Sequence, residues 1–109
     1  MSMLISDGKQ SSKMMGTLQM MELRGDYNQR LFWLEGQAID PSAAQTLLST
    51  KAKFDWGCNS EGAALLALAI CLHLYDEKRA LQVYQEFKWK HIVDLPQDNF
   101  CQMNQILQG

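Results

Sequence analysis

From Ala63 to Leu72 ten consecutive residues are apolar, and His73 ends the run. Wound as a helix, this segment is greasy around most of its circumference. Such a rod is stable in water only if other elements cover it on several sides. It is also shorter than the roughly 18–20 residues that cross a bilayer. The remaining chain must therefore supply the cover.

A second helix follows over Glu77–Asp94. Ala80, Tyr84, Phe87 and His91 recur at spacings of four, three and four, with Val83 beside them and Leu81, Trp89 and Ile92 widening the apolar surface. Lys78, Arg79, Gln82, Gln85 and Glu86 take the wet side, and Pro96 stops any continuation. The short connector at Asp76-Glu77 makes the two helices an antiparallel hairpin. That pair covers one side of the apolar rod.

The opening half offers the other cover. Thr17–Leu23 suits a strand, Arg24-Gly25-Asp26 reads as a turn, and Arg30–Leu34 is a short aromatic strand returning antiparallel. Gln37–Ile39 is a brief third strand after Gly36. Asp40-Pro41 opens a helix of about two turns over Ser42–Leu48. Lys51–Asn59 is an extended connection. After Pro96, Asn99–Met103 is a further strand candidate, and Asn104 begins a last helical turn. The expected class is α+β: a small antiparallel sheet from the N-terminal half packed on a C-terminal antiparallel helix hairpin. Residues 1–109 form one domain, and residues 1–15, turn-rich from Ser6 to Lys13, form a loop or loosely ordered arm.

Charge narrows the partners. Ten Lys and Arg stand against twelve Asp and Glu, a net charge of −2, so the chain lacks the general attraction of a nucleic-acid binder. No secretory signal or membrane span is visible. Three cysteines with no C-x-x-C spacing suit a reducing, cytoplasmic setting.

The motif Phe54-Asp55-Trp56-Gly57, the Gly62-Ala63-Ala64 and Leu66-Ala67-Leu68-Ala69-Ile70 segments, Tyr84-Gln85-Glu86-Phe87-Lys88 and Leu95-Pro96 resemble a small uncharacterised domain family of bacteria, phages and plasmids. In that family an F-x-W-G element, an L-A-L-A-I helix, a Y-x-x-F-K helix and a terminal L-P follow in the same order. This chain departs from it at Cys58-Asn59-Ser60-Glu61, where the family loop is aromatic and glycine-rich, and at Ala63, where a proline often opens the helix. The resemblance implies a fold and carries no activity.

Candidate chemistry is sparse. The loop Trp56–Gly62 feeds a helix start, where free N–H groups can hold an anion. Asp55 and Glu61 flank it, however, and no Lys or Arg occurs between Lys53 and Lys78. A helix cap, with Gly57 and Gly62 permitting a tight turn and Trp56 closing the core, explains the loop better. Cys71 and His73 point to different faces of one helix, so no metal spacing exists and neither metal nor cofactor is expected. A Cys58–His91 pair, or the carboxylates Asp55 with Glu61 and Asp94 with Asp98, has no supporting signature, and the chain is not expected to be an enzyme.

The aromatics point elsewhere. Exposed tryptophans anchor interfaces, so Trp33, Trp56 and Trp89, with Asn59 of the loop, are the candidate partner-binding residues. The expected function is protein–protein interaction without catalysis, with a homodimer allowed. In the setting of the resembled family this would be a mobile-element accessory or anti-defence inhibitor that blocks a host nucleic-acid-processing machine. The alternatives are a structural subunit, or a small nucleic-acid-binding regulator using Lys88, Trp89, Lys90 and His91. That patch offers about two phosphate contacts per copy, too few for useful affinity.

Overall fold

The computed structural model describes residues 17–108, so the expected arm at residues 1–15 lies outside it. The elements are β1 (Thr17–Asp26), β2 (Leu31–Leu34), β3 (Gln37–Ala38), α1 (Ser42–Leu48), α2 (Glu61–Leu74), α3 (Glu77–Phe87), a π-helical turn (Lys88–Ile92) and β4 (Phe100–Gln108). The strands form one antiparallel sheet in the order β3-β2-β1-β4. The chain is α+β, a sheet with a helical layer, as its sequence implies.

One refinement concerns where the sheet comes from. β4 lies at the C-terminus and pairs with β1 over nine positions, from Thr17 opposite Gln108 to Gly25 opposite Phe100. Asn104 opens no helical turn, because the strand runs through it in register with Met21. A chain-distant partner supplies that information, and local propensity carries none of it.

β1 also runs longer than expected, through Arg24-Gly25-Asp26, and the turn falls at residues 27–30. Gly25 is a packing glycine: a Cβ there would lie 2.7 Å from both the Trp56 and the Phe100 rings. Glycine inside a strand often marks such a close approach. The β2–β3 connection places Glu35 and Gly36 at φ 53° and 78°. Positive φ at both central residues is the type I′ geometry that matches strand twist.

Helix α2 is covered as its composition demands. Gly62, Ala63 and every residue from Leu65 to Cys71 are buried. Each fully buried leucine or isoleucine there stabilises the fold by about 2 kcal/mol. The sheet contributes Met21, Leu23, Phe32, Leu34 and Ile106 to the same core, and α3 with the π turn contributes Ala80, Phe87 and Ile92. Asp76 caps α3 by accepting from the Arg79 N–H at 2.8 Å. After Phe87 the helix widens into the π turn before Pro96.

Trp56 fastens the layers together. Its ring is fully buried and meets Tyr27, Phe32 and Phe100 edge-on at 5.1, 5.6 and 5.8 Å between centroids. Its indole N–H donates to the Asp98 carbonyl at 3.2 Å. We expect Trp56→Ala to lower the unfolding free energy in urea by about 3–5 kcal/mol. A loss under about 1 kcal/mol would contradict this packing.

Candidate interaction surface

The loop ahead of α2 is a cap built around one carboxylate. Ser60 is the N-cap, and its hydroxyl accepts from the Ala63 N–H at 3.2 Å. The same hydroxyl donates to Asp55 Oδ2 at 3.3 Å, while Asp55 Oδ1 accepts from the Tyr27 hydroxyl at 2.9 Å and the Trp56 N–H at 2.8 Å. Arg30 stands 3.5 Å from that oxygen and stacks on the Tyr27 ring. Gly57 turns the chain at φ 75°, and a Cβ there would lie 2.6 Å from the Leu95 carbonyl. Gly62 sits within the first turn of α2, where a Cβ would come within 2.4 Å of the Lys53 carbonyl. With the Tyr27 hydroxyl, the Trp56 N–H and the Ser60 hydroxyl converging on Asp55, the loop has the geometry of a structural cap.

Asp55 is held below the usual carboxylate range. Partial burial pushes it upward, but hydrogen bonds from Tyr27, the Trp56 N–H and Cys58, with the Arg30 charge, outweigh that. Its stabilising contribution is therefore complete above the ordinary aspartate value of about 3.9 and is lost as pH falls through its folded value.

The sequence-derived candidates separate in space. Trp56 belongs to the core, so its ring is not a surface contact. Asn59 and Trp89 come together through Lys88. The Lys88 ammonium donates to Asn59 Oδ1 at 2.7 Å and lies 5.0 Å from the Trp89 ring, and the residue is only 7% exposed. Trp89 itself is 54% exposed. Trp33 is half-buried on β2, opposite Arg24, whose guanidinium stacks over its ring at 4.3 Å. It lies on the face of the sheet turned away from α2.

That outer face holds the residues that sequence reasoning passed over. In an antiparallel pair, residues directly opposite share a face. Leu18 therefore sits with Leu107, Met20 with Gln105, Glu22 with Met103, and Arg24 with both Cys101 and Trp33. Leu18 is 62% exposed, and Met20 and Met103 are each 52% exposed. Diagonal neighbours on a sheet lie within reach of long side chains, so these groups make a continuous apolar stripe. At its far end a shallow hollow of about 380 Å³ opens between Arg24, Trp33, Phe100 and Cys101. The signal was present in β1: Leu18 and Met20 have one parity, Met21 and Leu23 the other. A strand apolar on both faces has two surfaces to cover.

The Cys101 thiol is pushed up by desolvation and by Glu22, which keeps it protonated at neutral pH. Burial pushes Cys71, inside α2, up to about 12. Among the described residues no group of three or more His, Cys, Asp or Glu could hold a metal ion. No helix among them is long and apolar enough to cross a membrane.

A family model matches residues 23–108, from the last four residues of β1 through β4. The chain belongs to a family of unknown function, DUF6166. The matched region contains the whole cap, the helical layer, Trp33 and the outward residues of β4. Comparison with curated proteins and with solved structures finds no match.

Asp55→Asn tests the cap. We expect it to lower the unfolding free energy at pH 7 by about 1–2 kcal/mol, the scale of a charge-assisted hydrogen bond reduced by solvent screening. It should also flatten the loss of stability on acidification below about pH 4. An unchanged acid limb in urea titrations across pH would show that Asp55 is not the hub.

Proposed function

We propose that the chain is a non-catalytic interaction module that docks a protein partner on the outer face of its sheet. The observation that carries this reading is the stripe of Leu18, Met20 and Met103, exposed together on one face. Single exposed apolar residues are ordinary, but a contiguous group beside a tryptophan and a hollow is characteristic of a contact surface. The α2-facing side is already filled by the chain's own helices, which leaves this side for another molecule.

The charge arrangement favours protein over nucleic acid. Lys88 is withdrawn into the Asn59 contact, and Lys90 pairs with Glu86 at 3.8 Å. Burial and the Lys90 charge push the His91 pKa down, favouring the neutral ring. The basic–aromatic patch is thus left with one exposed cation, Lys90, too little charge for useful phosphate binding. In the bacterial, phage and plasmid setting of the resembled family, the partner is a host protein of a nucleic-acid-processing machine, blocked by occupancy alone.

Immobilised full-length chain should retain a discrete host protein from bacterial lysate. The double variant Leu18→Lys, Met20→Lys should lose it while its circular dichroism and melting temperature stay unchanged. Retention of the same protein by the variant, or of none by the parent chain, would overturn the reading.

A further inference from the structure

Among the described residues β4 is an edge strand, and its outward side is open from Cys101 to Gln105. The Glu22 carbonyl accepts from the Glu35 N–H at 2.9 Å, which turns the even-numbered groups of β1 toward β2 and the odd-numbered ones toward β4. Their even-numbered partners in β4 close that ladder. The N–H and C=O groups of Cys101, Met103, Gln105 and Leu107 accordingly face away from β1. The Leu107 carbonyl, which accepts from the Tyr75 hydroxyl, marks that direction. Short of that occupied carbonyl, the open row from Cys101 to Gln105 extends over roughly 14 Å at the rise of a strand.

Edge strands are ordinarily blunted by lysine, proline, a bulge or brevity. The opposite edge follows that rule, since β3 has two residues. β4 does not: Phe-Cys-Gln-Met-Asn-Gln-Ile-Leu-Gln contains neither a charge nor a proline, and its pairing with β1 is regular. Beside it lies a groove of about 530 Å³ between the strand and α3, lined among others by Val83, Phe87, Gln105 and Leu107. The row of donors and acceptors thus has space next to it for another strand.

We infer that this edge pairs with the β4 edge of a second copy of the chain, antiparallel about a two-fold axis, to give a continuous eight-stranded sheet. Two features select a second copy over a foreign peptide. In a two-fold contact residue i meets residue j and only residues at the axis meet their own equivalents, so a charge at the axis would face a like charge, and this strand has none. The rim of the groove carries both signs, Arg79 and Lys90 with Glu86, and so complements itself. Pairing also joins two outer faces into one surface. The inference stands independently of whether that surface binds a partner.

Sedimentation equilibrium of the full chain tests it. The expected species has twice the 12.4 kDa chain mass. Met103→Pro removes an outward N–H without touching the β1 ladder and should give a monomer. Gln105→Lys and Gln105→Glu should each be monomeric alone, and an equimolar mixture should restore the dimer, which keeps the test valid if the proline variant fails to fold. A parent chain that stays monomeric at all concentrations would overturn the inference. So would a dimer that survives the Gln105 variants. Leu18 lines this groove whereas Met20 does not, so Met20→Lys alone should remain dimeric, which separates loss of pairing from loss of partner capture.

Discussion

Covering helix α2 on every side is the requirement that organises this molecule. A rod of alanines and leucines has no wet face, so its partners must come from several directions at once. The sheet lies on one side, α3 and the π turn on another, and α1 with the loop around Phe54 closes the remainder. The small alanines let these neighbours approach closely, while Leu65, Leu66, Leu68 and Ile70 supply most of the buried area. A chain of 109 residues has little apolar material left over. Part of what is left, Leu18, Met20 and Met103, stands out on the far side of the sheet.

The start of α2 is fixed by coupled contacts. Asp55 ties the cap serine to the Tyr27 turn of the β1–β2 hairpin, and the next residue, Trp56, drives its ring into the space that Gly25 leaves open. Adjacent residues thus link helix, hairpin and β4, one by charge and hydrogen bonding and the other by packing. This explains why the loop is crowded with polar groups and glycines: they fix the start of the helix against the hairpin.

Much of this architecture was legible in the sequence. The apolar run, the amphipathic stripe after it, the Asp76 break and the aromatic strand each declare themselves locally. The misread segments share one cause. Gly25 looks like a turn residue until Trp56, thirty-one positions on, is placed against it. Asn104 looks like a helix start until β1 pairs with it across most of the chain. The candidate surface shows the same limit. Trp33 could be named from composition, whereas Trp56 reads both as a lid on the core and as a contact residue, and its tertiary neighbours decide for the core. The stripe of Leu18, Met20 and Met103 needs the register of two chain-distant strands before it becomes one surface.

Amide hydrogen exchange along α2 tests the central requirement most directly. If the helix is enclosed on all sides, the amides of Leu66–Cys71 exchange only through global unfolding, with a free energy equal to that from urea denaturation. Faster exchange there than in β1 or α3, at free energies well below the global value, would mean that the apolar rod opens to water on its own, and the architecture described above would not be what holds the chain together.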